Sequence, residues 1–351
     1  RRRRAHRRGR PRMRLTASAP GKLVLLGEYA VLEGAPALVL AVDRRARVTL
    51  TPGNRHWAIV SPTLQLQARL RLQDGNAAWV DATPPELEWV ATLLARLPHA
   101  QDLRPYRIEL DSDAFYLDHE GTREKLGLGS SAALTVALLG ALHAVAGMAA
   151  PALEEAIETH RAIQQGHGSG IDIAASSTGG LSRFRLDDGA PHVDPVKFPD
   201  GLHWACVYSG RPASTRVMLA TVAAWREREP TAFAQHTHEL ATISSRGIDA
   251  LTANDAAAFL SSLHDYATAL ARFGAAADAD IASREHRTIA AIAADCGCVY
   301  KSCGAGGGDI GVTFAVEDKR LREFRARALR AGFPVIGLEA DPKGLEVVSN
   351  V

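Results

Sequence analysis

Two rhythms of apolar residues run along this chain. Leu64, Leu66, Ala68, Leu70 and Leu72 fall on every second position, the spacing of a half-buried strand. Arg44 to Leu50 alternates in the same way, and Ala37 to Val42 is a continuous apolar run of buried-strand type. Short apolar stretches at Lys22 to Leu26, Arg107 to Leu110, Val193 to Pro199, Leu202 to Tyr208, Val299 to Lys301, Ile310 to Val316 and Leu345 to Val348 predict further strands. The other rhythm is helical. Leu87, Val90, Leu93, Leu94 and Leu97 line one face of a helix over Pro85 to Leu97. Pro151 to Gln165, Asp172 to Ser177, 318–331 and much of the alanine-rich region 215–295 read as helix. Ala132 to Ala150 is long and apolar enough to consider as a membrane span. It is mostly alanine, however, and holds Thr135, Gly140, His143 and Gly147, which predicts a buried helix and no membrane association.

Strands and helices mix without strict alternation, so the pattern favours α+β over a doubly wound sheet. A boundary is expected near 185–200, where Asp187, Asp188, Gly189 and Pro191 cluster. The chain of 351 residues then divides into a basic arm at 1–12, an N-terminal domain at 13–190 and a C-terminal domain at 191–351.

The net charge of +2 hides an asymmetry. Residues 1–12 hold eight arginines and no acid, and the rest of the chain carries −6. The body therefore has no basic footprint for nucleic acid. The arm reads as a leader or a disordered tail ahead of Met13, with an acidic partner as the alternative. Four cysteines, three of them within Cys296–Cys303, do not form a disulfide framework and lack paired zinc spacing. A reducing, cytoplasmic setting is expected.

The strongest local chemistry lies in Lys125-Leu-Gly-Leu-Gly-Ser-Ser-Ala-Ala133, just ahead of the alanine helix. Glycines let several backbone N–H groups face one point, and a helix start adds unpaired donors and a positive dipole end. Gly127, Leu128, Gly129, Ser130, Ser131 and Ala132 thus form a candidate phosphate cradle, with Lys125 beside it. The bland alternative is a capping serine on a buried helix. The segment matches neither the Walker nor the Rossmann glycine pattern.

Three blocks in order resemble the GHMP kinases: Ala19-Pro-Gly-Lys-Leu-Val-Leu-Leu-Gly-Glu-Tyr-Ala-Val-Leu-Glu-Gly34, Gly127-Leu-Gly-Ser-Ser-Ala-Ala133 and Lys301-Ser-Cys-Gly-Ala-Gly-Gly-Gly-Asp-Ile-Gly311. Within that superfamily Gly27-Glu-Tyr-Ala-Val-Leu32, the Asp309 ending, His160-Arg-Ala-Ile-Gln-Gln-Gly-His-Gly-Ser-Gly-Ile-Asp172 and Ser209-Gly-Arg-Pro-Ala-Ser-Thr215 are most similar to phosphomevalonate kinases. Thr159 departs from that pattern, and Arg161 stands where mevalonate kinases usually carry a metal-binding Glu.

The resemblance implies a two-domain α+β fold, with an N-terminal mixed sheet holding a left-handed β-α-β unit and a ferredoxin-like C-terminal domain. It implies ATP and Mg²⁺, and transfer to 5-phosphomevalonate. Mevalonate or another small alcohol, a diphosphomevalonate decarboxylase activity, and an inactive ligand-binding regulator are the rival readings. It makes Asp172 and Lys22 the catalytic candidates, and Ser131 the magnesium contact. Gly304, Gly306 and Gly307 join the ATP loop. Lys22, Glu28, Tyr29, Ser169, Gly170, Arg211, Ser214, Thr215 and Lys301 become acceptor candidates, arginine being suited to phosphate through its planar fork. The expected partner is a phosphorylated small molecule, and a monomer or homodimer is expected.

Overall fold

The computed structural model describes residues 14–350 apart from 74, 75, 83, 99, 120 and 167. The arginine arm at 1–12 and His167 of the fourth motif lie outside the described residues.

The chain begins with two long strands, β1 (Arg14–Leu26) and β2 (Ala37–Pro52), paired antiparallel. Their apolar runs are buried on both faces around Leu23–Leu26 and Ala37–Val42, as a central pair in a covered sheet requires. Next come β3 (Trp57–Ser61), β4 (Leu66–Gln73), β5 (Asn76–Trp79), α1 (Glu88–Arg96) and β6 (Tyr106–Asp111). A polar hairpin follows, β7 (Tyr116–His119) and β8 (Thr122–Lys125), then α2 (Ser130–Ala146), α3 (Leu153–Ile163) and α4 (Ile171–Thr178). Strands β9 (Leu181–Asp187) and β10 (Ala190–Val196) complete the run of the first sheet, whose order is β10-β9-β2-β6-β3-β4-β5 with β1 paired to β2. Among the described residues only the β3–β6 pairing is parallel, so the sheet is mixed.

The second layer holds β11 (His203–Tyr208), α5 (Thr215–Arg228), α6 (Pro230–Thr252), α7 (Ala256–Ala276), α8 (Arg284–Asp295), β12 (Val299–Ser302), β13 (Ile310–Ala315), α9 (Asp318–Arg330) and β14 (Val335–Ile336). Its four strands form an antiparallel sheet in the order β12-β13-β11-β14. The last strand, β15 (Glu346–Asn350), crosses back and pairs antiparallel with β1. The first sheet therefore runs past residue 190 to Val196 and also takes in the end of the chain, so the division between the two sheets is not a single cut in sequence.

The apolar segment before Gly147 is α2, buried along most of its length against β1 and β2. No helix among the described residues is long and apolar enough to cross a membrane. Gly147 closes α2 in the left-handed region at φ 72; its N–H donates to the Ala144 carbonyl and the next N–H, of Met148, to the His143 carbonyl.

A strap before β15 secures α4. Arg45 donates to Asp341 (2.6 Å), to the Gly344 carbonyl (2.6 Å) and to the Ser18 carbonyl (2.9 Å). Leu345 N–H donates to the Ser177 carbonyl at 3.1 Å. A Cβ on Gly344 would run into that Ser177 carbonyl, a backbone atom that cannot swing aside. Gly344→Ala is therefore expected to destabilise the fold by about 1–3 kcal/mol through this overpacking. A fall in Tm by thermal unfolding checks it, and an unchanged Tm would mean that the strap yields freely.

Candidate active site

The site grows from the first turn of α2. Gly129 precedes the helix at φ 79, and the preceding Gly127 stands at φ 69, both in the left-handed region. No side chain caps the helix start, so the amides of its first turn lack intrahelical partners. Side chains are excluded from the approach: a Cβ on Gly127 would strike the Asp309 carboxylate, and one on Gly129 would lie 3.1 Å from the Lys22 side chain. Ser130 is buried, while Ser131 is exposed at the helix start.

Strand β1 brings Lys22 to this point. The pairing of β1 with β2 shifts register between Pro20 and Gly21, which re-aims the strand. Gly21 fits closely there, since a Cβ would stand 2.9 Å from the Leu128 carbonyl and from the Phe115 ring. Lys22 N–H then donates to that Leu128 carbonyl at 2.9 Å, fixing strand and loop together. The Lys22 ammonium is 3.5 Å from Asp172, and Lys22 is only 8% exposed.

Asp172 sits in the first turn of α4, which starts after Gly170 at φ 91. Arg161 grips the connecting loop, donating from Nε to the Gly168 carbonyl (3.0 Å) and from Nη2 to the Ser169 carbonyl (3.2 Å). The Ser169 hydroxyl accepts from Ile171 N–H at 3.3 Å. His160, the neighbour of Arg161, reaches Ser131: Nε2 and Oγ are 3.4 Å apart. Burial pushes the His160 pKa down, with Asp172 acting against it, so the imidazole is held neutral near pH 7.

The second glycine loop closes the other wall. Gly304, Gly306 and Gly307 all have φ near 80. A Cβ on Gly304 would stand 3.9 Å from the Lys22 ammonium, so this residue borders the site. Gly306 and Gly307 pack instead against Ile281 and Met218, behind the loop. Asp309 ends it, at φ 58, and its Oδ1 accepts from Ala213 N–H at 3.1 Å. Desolvation pushes the Asp309 carboxyl up to about 6 against the Ala213 hydrogen bond and the attraction of Lys22 and Lys125.

Lys22, Gly127, Leu128, Gly129, Ser130, Ser131, Ala132, Asp172 and Gly304 thus belong to one cluster, with Lys125 and Ser169–Gly170 at its margins. Other expected acceptor contacts are engaged elsewhere. Lys301 is buried in an ion pair with Glu28. The Tyr29 hydroxyl donates to the Ala305 carbonyl at 2.6 Å. Exposed Arg211 pairs with Asp280 (2.9 Å) and Glu285 (3.7 Å). Ser214 caps α5 by accepting from Val217 N–H, and Thr215 opens that helix. Three neighbours stand outside the expected set: Asp309, His160 and Arg161. Each lay inside a quoted motif, and a carboxylate closing a run of glycines was the available signal for Asp309.

Such a cradle fits a polyphosphate: unpaired amides, a buried ammonium and room enforced by glycine. It also fits Mg²⁺, which takes few protein oxygens and keeps phosphate and water ligands. The exposed Ser131 hydroxyl offers such an oxygen, and no group of three or more His, Cys, Asp or Glu forms a protein cage among the described residues.

Residues 88–180 match the family model of the GHMP kinases N terminal domain. The chain is 31% identical over 182 residues to a mevalonate kinase of Aeropyrum pernix, a match spanning 51% of this chain and about half (53%) of that protein. It is 28% identical over 360 residues to a phosphomevalonate kinase of Streptomyces sp., spanning 90% of this chain and 94% of that one. The solved Streptococcus pneumoniae phosphomevalonate kinase in complex with phosphomevalonate and AMPPNP shares the fold, with a TM-score of 0.77 at 19% identity over 93% of this chain and 99% of that one.

The raised Asp309 carboxyl has a consequence for stability. Its folded value of about 6 lies above the usual carboxylate range. Its contribution is therefore fully present below about pH 4 and is lost as pH rises through 6, when the buried acid must ionise. Asp309→Asn keeps the oxygen that accepts from Ala213. It is expected to be more stable than the parent at pH 8, on the order of 2 kcal/mol, with the difference vanishing near pH 4. Denaturant unfolding at pH 4, 6 and 8 checks this; a pH-independent difference would show that ionisation of Asp309 is not its source.

Proposed function

We propose that this chain is a GHMP kinase and transfers the terminal phosphoryl group of ATP to 5-phosphomevalonate, giving 5-diphosphomevalonate and ADP. The observation that carries the reading is Lys22, whose ammonium is 3.5 Å from Asp172 and whose side-chain stem lies against Gly129 at the start of α2. Phosphoryl transfer asks for positioning and charge neutralisation more than covalent chemistry. The amides at the start of α2 receive the ATP phosphates, and Lys22 offsets the charge that spreads over the transferring group. Asp172 orients the acceptor oxygen and is itself held by Lys22. Ser131 would offer Mg²⁺ a protein oxygen, and the bound ion would supply further neutralisation of that charge. In this reading Lys22, Ser169 and Gly170 flank the acceptor, and Lys125 flanks the nucleotide.

The choice of acceptor rests on the motifs most similar to phosphomevalonate kinases, on a match running through nearly the whole Streptomyces phosphomevalonate kinase, and on Arg161. An arginine in place of the acid usual in mevalonate kinases removes one negative charge from the surroundings of a doubly charged acceptor. A phosphate acceptor is also already ionised near neutral pH, so a strong general base is less needed. The half-length match to mevalonate kinase supports mevalonate as the second reading.

ADP release is to be measured with ATP, Mg²⁺ and, separately, 5-phosphomevalonate, mevalonate, homoserine and galactose. Turnover on 5-phosphomevalonate alone is expected. Turnover on mevalonate alone would sink the acceptor assignment, and no turnover on any would favour a binding protein. Lys22→Met should lower kcat about 100-fold or more, as loss of one transition-state donor does. Asp172→Asn should cost less, about 10- to 100-fold, at the low end for loss of a base. A larger loss from Asp172→Asn than from Lys22→Met would reverse that order of roles.

A further inference from the structure

Glu28 and Lys301 are the most deeply buried charges near the cleft, and phosphoryl transfer as derived above uses neither. They are 5% and 1% exposed and form an ion pair. Lys301 also donates to the Ser302 carbonyl at 2.6 Å, and its ammonium lies 5.6 Å from the centre of the Tyr266 ring. Burial pushes the Glu28 carboxyl up, opposed first by Lys301. Glu28 Oε2 is buried with no hydrogen-bond partner among the described residues. A pair of this kind contributes little net stability, because apolar side chains of similar volume often do as well or better. Its retention calls for another role.

The geometry around it supplies one. Glu28 and Tyr29 lie just beyond β1, and Lys301 lies in β12, immediately before the second glycine loop. Glu28 pairs with the Lys301 ammonium, which also donates to the Ser302 carbonyl at the root of the loop. The Tyr29 hydroxyl donates to the Ala305 carbonyl at 2.6 Å. Two consecutive residues of the first block therefore tie down the loop, one at its root through Lys301 and one at Ala305. Tyr29 adopts φ 61 and ψ −50, a region in which a non-glycine residue is strained and persists only when its surroundings hold it. Those surroundings are the Phe273 ring, 4.9 Å away between centroids, and the Tyr266 hydroxyl, which donates to the Glu28 carbonyl at 2.9 Å. The loop so held borders Lys22 at Gly304 and meets Gly127 through Asp309.

We propose that Glu28, Tyr29 and Lys301 are positioning residues: the buried ion pair and the Tyr29 hydroxyl clamp the second glycine loop, at its root and at Ala305, beside the Lys22 ammonium, so that it completes the phosphoryl-transfer site. The catalytic half of this inference rests on the kinase reading; the clamp itself does not.

The test compares Glu28→Gln, Glu28→Gln/Lys301→Met and Tyr29→Phe with the parent. The readouts are Tm, amide hydrogen exchange of the 303–309 segment without substrate, and kcat and KM for ATP. Glu28→Gln leaves a buried unpaired ammonium and should lower Tm. The double variant should regain most of that Tm. It should still exchange the loop amides about tenfold faster and lose about tenfold in kcat, with KM for ATP within about threefold. A double variant that regains Tm, loop protection and kcat together would overturn the proposal, since the pair would then only fill space. Should the double variant not fold, Tyr29→Phe decides: faster loop exchange supports the clamp, and parental exchange overturns it. Absence of turnover in the parent would sink the kinase reading and leave the exchange result to judge the clamp.

Discussion

A helix cannot satisfy the backbone donors of its own first turn, and at the start of α2 the structure keeps them uncovered. Glycine at 127 and 129 is what permits this. Both residues hold left-handed backbone; a Cβ on Gly127 would collide with the Asp309 carboxylate, and one on Gly129 would crowd the Lys22 side chain. The charges that crowd in are Lys22 and Asp309, one from each glycine-rich block. A concentration of unpaired amides and an ammonium in a water-poor cleft needs nearby acid to be tolerated in the fold. Asp172 and Asp309 supply it, and neither is an ideal partner. Asp172 stands 3.5 Å from Lys22, longer than a tight charged hydrogen bond. Desolvation pushes the Asp309 carboxyl up to about 6, so it holds its charge less firmly than an exposed acid. Loose compensation of this kind leaves the cations available to phosphate.

Strand β1 couples the parts. Within eight residues it and the following turn provide Lys22, whose N–H holds the Leu128 carbonyl, and Glu28 and Tyr29, which hold the second loop. Its outer pairing is with β15, so the end of the chain reinforces the strand that carries the site. Arg45 and the strap it grips extend the same reinforcement to α4, where Asp172 resides. The buried charge of Glu28 and Lys301 lies where the two sheets meet, and this explains why one motif alone would not build the site.

The sequence makes some of this legible and hides the rest for physical reasons. Glycine requirements are local, so the phosphate cradle and the second loop could be read from their own residues. Alternation found β4, and the apolar segment from Ala132 was rightly taken as a buried helix. The hairpin of β7 and β8 escaped because most of its residues are polar and none is buried, which leaves no period to detect. The return of β15 to β1 escaped because pairing partners at opposite ends of the sequence leave no trace in spacing, as in Leu15 opposite Ser349 and Thr16 opposite Val348. Lys301 and Arg211 illustrate the same limit at the level of side chains. Both are cations beside a matched motif, yet one is neutralised by Glu28 and the other by Asp280 and Glu285. Which cation is free to meet a ligand is a property of tertiary contacts.

Arg161 shows why that property matters for the reaction. Its Nε and Nη2 are taken by the Gly168 and Ser169 carbonyls, so it is a brace for the loop ahead of Asp172. A carboxylate at the same position would repel those carbonyls and could not hold the loop in this way. The geometry of Asp172 therefore depends on a planar cation whose loss no lysine would fully replace, because a single ammonium lacks the fork that spans both carbonyls.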